Sequence, residues 1–471
     1  MTPNMKILQI DKFYYPKYGT GKHVFALTRE LEKQGHTVIP FSMQDDKNEQ
    51  TQYAKYFVSN VDVSAISFSW KGIKTAFRMI YSFEARRKIR KLLEKEKPDI
   101  AHIHLIHHHI SPSILYELKK QGIPIVQTVH DYKLVHSNYF MWCDNAPCEK
   151  AREHRWNKLI FHRCVKNSFI GSVWLGIETT IHALIGAYKK NIDLWIAPSE
   201  FVKRMLVEGG YPEEKIVVLL HAVEHELYTN NDESLTNNTS TNLSSRREAM
   251  SSFLESLSRE SEANRGKGVT RNPKGSLLGR VMGGVKGEEK YLLFFGRLAP
   301  ERGVDRLLHA MTAFPDARLI IAGDGEMEAQ LKEQVKKNGL RNVEFVGYKS
   351  GQELKQLIHN ARAVVVPTLS HEIFGLSVLE AMALGKPVIA SSRGALPELV
   401  ENGKNGWLID PDNMDEFRTA LKECMSRDDI IEQFGTAAQQ KAEELTMNKY
   451  YGIIISYYSK LIYLKYGRKS S

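Results

Sequence analysis

The chain has 471 residues, 42% of them hydrophobic and 25% charged, with a formal net charge of +10. That length accommodates two or three globular domains with real cores. The positive balance calls for an anionic partner, but with no zinc-finger spacing, aromatic RNP strand or basic recognition helix, nucleic acid is not expected to be that partner.

The segment Met5–Ile10 is short, apolar and followed by Asp11 and Lys12, so it reads as a first strand, Lys6–Ile10, and not as a signal peptide. A loop, Tyr14-Tyr15-Pro16-Lys17-Tyr18-Gly19-Thr20-Gly21, leads into a helix over His23–Gln34 that stops at Gly35, and Thr37–Phe41 is the next strand. Phe77, Ile80, Tyr81 and Phe83 share a helical stretch with Arg86-Arg87-Lys88-Ile89-Arg90-Lys91, which reads either as a solvated helix face or as a patch for an anionic membrane. Strands over Ile100–His104 and Ile123–Thr128 enclose a helix at Ser113–Lys120. His102, His104, His107, His108 and His109 crowd this region without an i, i+4 pair and partnered carboxylate, so no metal site is expected. Cys143, Cys148 and Cys164, with His154 and His162 nearby, read as free thiols or a surface loop before a zinc site. With only four cysteines in all, a reducing cytoplasmic setting is expected.

The most apolar stretch, Phe169–Tyr188, contains Glu178 and His182, so no spanning helix is expected. Leu194–Ala197 and Lys215–Leu220 are further strands, with Ser199 as a helix N-cap between them. Residues 227–288 are rich in Asn, Ser, Thr, Gly and Arg and read as an insertion between domains. Regular alternation then resumes, with strands at Tyr291–Phe295, Ala317–Ala322, Val343–Val346, Ala363–Val366 and Pro387–Ala390. Helices at Asp305–Ala313, Met327–Asn338, Gln352–His359 and Gly375–Leu384 lie between them. Strands apolar on both faces and joined by helices describe parallel sheets covered on both sides, which bind ligands at the carboxyl ends of their strands. The expected domains are 1–226, the insertion 227–288, 289–446, and a C-terminal helix with a basic tail, 447–471, packing back on the first domain.

Ser370-His371-Glu372-Ile373-Phe374-Gly375-Leu376-Ser377-Val378-Leu379-Glu380 follows a strand and enters a helix, where a backbone N-terminus can hold phosphate oxygens. On one helix, the eight-residue spacing of Glu372 and Glu380 would span about 12 Å, enough to touch a sugar at one end and a ribose at the other. Gly375 would let the backbone come close to the ligand. A second strand-to-helix loop, Gly296-Arg297-Leu298-Ala299-Pro300-Glu301-Arg302-Gly303, offers two guanidiniums flanked by glycines as a diphosphate clamp. Asp410-Pro411-Asp412 is read as a turn rather than a metal site.

These segments, in this order and with Ala322-Gly323-Asp324-Gly325 between them, resemble the retaining glycosyltransferases of family four, with their Glu-x7-Glu signature and GT-B fold of two facing Rossmann-like domains. The resemblance implies Glu380 on the donor ribose, Glu372 on the donor sugar, and Arg297 with Arg302 on the diphosphate. Phe374, Gly375, Leu376 and Gly296 would complete the donor site, with Gly347-Tyr348 at the base edge. In the first domain, Gly19 and Gly21 resemble the family's glycine loop. His130, in Thr128-Val129-His130-Asp131, resembles its cleft histidine, on the donor sugar or the acceptor. The implied activity is transfer of a sugar from a nucleotide-diphosphate sugar to a glycan, lipid-linked or small-molecule acceptor, with retention and without a metal cofactor. A cytoplasmic enzyme is expected, with peripheral attachment to the inner face of the membrane as a further reading. A nucleotide-sugar epimerase and a non-catalytic sugar-nucleotide-binding subunit are the alternatives.

Overall fold

The computed structural model describes residues 4–16, 19–61, 70–143, 146–148, 169–224 and 290–467, with the side chains of 70–73 also set aside. Lys17, Tyr18, His154, His162, Cys164 and the insertion 227–288 therefore lie outside the described residues.

Two parallel six-stranded sheets organise the chain. The first runs β1 (Lys6–Ile10), β2 (Thr37–Phe41), β3 (Ile100–Ile103), β4 (Ile125–Thr128), β5 (Leu194–Ala197) and β6 (Ile216–Val218), in spatial order β2-β1-β3-β4-β5-β6. The second runs β7 (Tyr291–Phe295), β8 (Leu319–Ala322), β9 (Val343–Phe345), β10 (Ala361–Val366), β11 (Val388–Ser391) and β12 (Gly406–Ile409), in order β9-β8-β7-β10-β11-β12. The central strands β3, β4, β5, β7, β8, β10 and β11 are buried along their whole length, which is why apolar residues dominate both of their faces, with His102, Gln127, Thr128, Arg362 and Ser391 as the polar exceptions.

In the first half the helices used below are α1 (Gly19–Lys33), α2 (Trp70–Ile80), α3 (Phe83–Glu96), α4 (Ser113–Lys120), α5 (Phe169–Ile185) and α6 (Glu200–Glu208). In the second they are α7 (Val304–Met311), α8 (Glu328–Lys337), α9 (Gly351–Asn360), α10 (Leu376–Ala383), α11 (Met414–Ser426) and α12 (Asp428–Glu443), followed by α13 (Met447–Tyr466). Ser82, Ser199, Asn413 and Thr446 each accept a backbone N–H at a helix start. Helix α13 packs on the first half: Tyr450, Ile454 and Tyr458 share a buried cluster with Met5, Ile7, Leu27 and Leu31, and the Tyr458 hydroxyl bonds His102 Nδ1 at 2.7 Å.

Two expectations change. Helix α1 begins at Gly19, four residues before His23, so both loop glycines lie in its first turn. Helix α10 begins at Leu376, with Gly375 at φ +102° as its left-handed N-cap, so Glu372 is not on the helix and the helical 12 Å spacing does not apply. Glu372 instead pairs as an isolated parallel bridge with Gly394.

Candidate functional site

In each sheet the strand order reverses at one place, between β1 and β3 and between β7 and β10. Loops leaving the carboxyl ends at such a switch point splay apart and leave a crevice. In the second half those loops are 296–303 and 367–375; in the first, the β1 loop leads into the first turn of α1, which carries Gly19 and Gly21.

The two loops of the second half are bound to each other by backbone. Leu369 N–H and Thr368 Oγ1 both donate to the Glu301 carbonyl, at 2.8 and 3.0 Å. Glycines are required where these chains touch. A Cβ on Gly303, at φ +68°, would lie 2.0 Å from the Pro367 carbonyl oxygen, and one on Gly323 would lie 1.9 Å from that of Gly296. Gly394, at φ +67°, would strike the backbone of Glu372 in the same way, and Ala395 N–H donates to the Glu372 carbonyl at 2.9 Å. The position of Glu372 is therefore set by backbone on both sides.

Each predicted charge has a partner. Arg302 Nη1 donates to Glu372, while Arg302 Nε is buried without a hydrogen-bond partner. Arg297 pairs with Glu301 and lies 5.2 Å over the Phe140 ring of the first half. Glu380, 5% exposed, takes a 2.6 Å hydrogen bond from Lys22 Nζ across the crevice. Asp410 and Asp412 both face Arg393, at 3.4 and 2.5 Å, which accounts for that carboxylate pair as a salt-bridged turn.

The halves meet along 371–376. The Tyr132 hydroxyl donates to the His371 carbonyl at 3.2 Å, and Ser199 Oγ donates to that of Ile373 at 2.9 Å. Phe201 stacks on His371, and Phe374 meets the edge of His221. Gly19, in the first turn of α1, approaches Leu376, the first residue of α10; a Cβ there would lie 3.1 Å from Leu376 Cδ1. Burial and the nearby Glu372 charge hold the Tyr132 phenol well above its usual range, so it stays a neutral donor.

His130 sits in an imidazole group. Its Nε2 is 2.9 Å from His104 Nδ1, and its ring stacks on His221 with centroids 5.0 Å apart. His23 lies 4.0 Å from His221, and His102 lies 4.2 Å from His104. Burial pushes His23 and His102 down to about 3, and burial with neighbouring imidazoles holds His104, His130 and His221 well below 6.5. The group is neutral, so its roles are those of hydrogen-bonding and stacking surfaces. Cys143 and Cys148 are buried, and among the described residues no cluster of His, Cys, Asp or Glu is arranged to hold a metal ion.

Glu372, Arg302, Phe374, Gly375, Leu376 and Glu380 are thus brought together with Gly19, and His130 reaches them through His221 and Phe374. Gly347, at φ +71°, and the exposed Tyr348 follow the end of β9, farther along the same sheet edge. Sequence reasoning missed Lys22, Tyr132, Phe201 and His221, and read Ser199 only as a helix N-cap. Lys22, directly after Gly21, carried a local signal; Tyr132, Ser199, Phe201 and His221 reach the site through contacts with residues 153 to 239 positions away.

Residues 18–227 match the family model described as Glycosyltransferase Family 4, and residues 280–441 match that described as Glycosyl transferases group 1. Over 147 residues the chain is 38% identical to an uncharacterised glycosyltransferase of Methanocaldococcus jannaschii, a stretch covering 30% of this chain and 37% of that protein. Among solved structures, Anabaena HepE in complex with UDP and glucose superposes with a TM-score of 0.58 at 18% identity, covering 96% of this chain and all of that one. Sucrose-phosphate synthase from Thermosynechococcus elongatus superposes with a TM-score of 0.66 at 16% identity, covering 97% and 99%. The fold is the GT-B architecture.

Proposed function

We propose, from the GT-B fold and the match of both halves to glycosyltransferase families, that the chain transfers a sugar from a nucleotide-diphosphate sugar to an acceptor hydroxyl. The observation that carries this reading is the meeting of the α1 and α10 N-termini beside two differently held carboxylates, Glu372 and Glu380. Helix N-termini attract phosphate oxygens through unpaired N–H groups and the helix dipole. Glu380, fixed on α10, would accept from the ribose hydroxyls, and Glu372, ahead of the helix, from the sugar. The diphosphate would lie between the helix starts, near Arg302 and Arg297, with the base toward Tyr348.

As the bond from the anomeric carbon to the diphosphate breaks, negative charge grows on the departing oxygen. Guanidiniums and helix N-termini already in place stabilise that charge without reorganising. These cations supply the field a divalent metal would otherwise supply, so no metal cofactor is proposed. His130, neutral and backed by His104 and His221, would bond the donor sugar or acceptor. Retention rests on the resemblance of the Glu-x7-Glu segment to the retaining family.

The acceptor is proposed to be presented at an anionic membrane surface. The exposed face of α5 carries Phe169, Ile177 and Leu184, and Phe77 and Phe83 lie on the neighbouring α2 and α3. Among the described residues no helix is long and apolar enough to cross a membrane, so this face would lie on a bilayer rather than span it.

The test is a donor screen starting from UDP-glucose and extending across bases and sugars, reading nucleoside diphosphate release with and without sugar acceptors. A bound donor at 100 times its Kd should add about 2.7 kcal/mol of stability. Product configuration read by NMR decides retention. Isomerised sugar without acceptor would favour an epimerase, and binding without turnover a non-catalytic subunit.

A further inference from the structure

We infer that Lys22 discriminates phosphorylated from unphosphorylated ligands: its ammonium neutralises Glu380 in the free protein and exchanges that carboxylate for the diphosphate when a nucleoside diphosphate binds. The inference rests on the donor-site reading above.

Glu380 has a side chain only 7% exposed, and among the described residues its hydrogen bond comes from Lys22 Nζ, at 2.6 Å. A carboxylate withdrawn from water needs such a partner. Lys22 has the opposite character, with a side chain 37% exposed and therefore room to turn. It is the fourth residue of α1, so its charge lies near the positive end of that helix dipole, where a cation is disfavoured. The contact of Gly19 with Leu376 brings a second helix N-terminus to the same place. Two helix starts thus meet beside one ammonium whose partner is Glu380, an arrangement that an incoming polyanion relieves.

A ribose that takes Glu380 must displace Lys22. If the ligand carries a diphosphate, the displaced ammonium gains a stronger anionic partner a short rotation away. If the ligand is a bare nucleoside, the ion pair is lost with no replacement. Lys22 would thereby weaken nucleoside binding and strengthen nucleoside diphosphate binding, so that the two effects have opposite sign. A residue that merely supports the fold would move both ligands in the same direction.

The experiment measures the affinities of uridine and UDP, and of the corresponding adenine and guanine pairs, for the parent, Lys22→Met and Lys22→Arg. Calorimetry suits the diphosphates and ligand-observed NMR competition the nucleosides. Lys22→Met should weaken the diphosphate of the preferred base about tenfold or more, the scale of a lost charged hydrogen bond, while its nucleoside binds as well as before or better. Lys22→Arg should keep the parent's ratio. Thermal melting verifies that each variant is folded. Equal weakening of both ligands, or an unchanged ratio in Lys22→Met, overturns the inference alone. Failure of the parent to bind any of the three diphosphates overturns the donor-site reading, and this inference with it.

Discussion

Glu372 and Glu380 lie eight positions apart in surroundings that assign them different work. Glu380 is fixed on α10 and nearly buried against Lys22, whereas Glu372 hangs in the loop ahead of the helix, its backbone bound to Gly394 and Ala395 and its carboxylate to Arg302. Under the proposed roles, Glu380→Ala should weaken donor and free nucleoside diphosphate alike. Glu372→Ala should lower kcat with little effect on the free diphosphate, because the sugar changes geometry and charge most at the transition state. A lost charged hydrogen bond of roughly 1.5–3 kcal/mol makes each effect about ten- to a hundredfold. Parental binding and turnover in both variants would remove them from the donor site. The histidines add a pH dependence. His23, His102, His104, His130 and His221 are held neutral in the fold, so below pH about 6.5 the unfolded chain binds more protons than the native one, and stability falls as pH falls. Each such imidazole contributes a slope of about 1.4 kcal/mol per pH unit until its native value is reached. Asp11, raised to about 6 by burial, works in the opposite sense but is a single group. Melting temperature should therefore drop steeply between pH 6.5 and 5; a flat profile there would contradict the neutral cluster.

Among the elements, the start of α6 does more than begin a helix. Both carboxylate oxygens of Glu398, from the second half, accept the backbone N–H groups of Glu200 and Phe201 at 2.8 Å, and Ser199 Oγ accepts that of Val202. Three of the four unpaired N–H groups of a helix start are thus satisfied, two of them from the other half of the protein. Glu398→Ala should cost about 0.5–2 kcal/mol, typical of a lost cap, and loosen 371–376, which docks beside it. Hydrogen exchange followed by mass spectrometry is the measurement, and unchanged protection at 371–376 would show that the segment is held without the cap. This fastening also marks where sequence reading runs out. Strands β5 and β7 announce themselves because burial on both faces demands unbroken apolar runs, as do residues 363–366 of β10, and Glu372 and Glu380 stand out because they follow such a strand into a helix. The helix start is legible at Gly375, within one residue of the observed Leu376, but the left-handed backbone with which Gly375 caps it is not. Strand β12 went unread because Gly406-Trp407-Leu408-Ile409 is short and emerges from a polar turn. Glu398 gives no local sign, since its partners lie 197 and 198 positions away.

For the whole molecule, the net charge of +10 and the distribution of apolar surface bear on where it works. The basic run on α3 is smaller than its sequence implies, because Arg86 and Arg90 both bind Glu117 and Lys88 binds Glu84, leaving Arg87 and Lys91 exposed. The apolar surface, by contrast, is concentrated. Phe83 and Leu184 are each 79% exposed and Phe77 is 63% exposed, with Phe169 and Ile177 on the same helices. The acidic residue of α5, Glu178, is buried against Lys133 and His108, so none of its negative charge faces outward. Lys74, Lys189 and Lys190 are exposed on or beside these helices. An apolar face bordered by cations suits an anionic bilayer, where side chains insert shallowly while lysines meet headgroups. The two contributions separate by salt, because screening weakens the electrostatic part but not the apolar part. Co-sedimentation with vesicles containing anionic lipid should therefore be strong at low salt, weaker at high salt and weak for purely zwitterionic vesicles. Replacing Phe77, Phe83 and Leu184 together by Ser should reduce binding at both salt levels while leaving soluble-acceptor turnover intact. Failure of the parent to bind anionic vesicles even at low salt would take the membrane out of the account, and binding by the triple variant equal to the parent's would place the contact elsewhere on the surface.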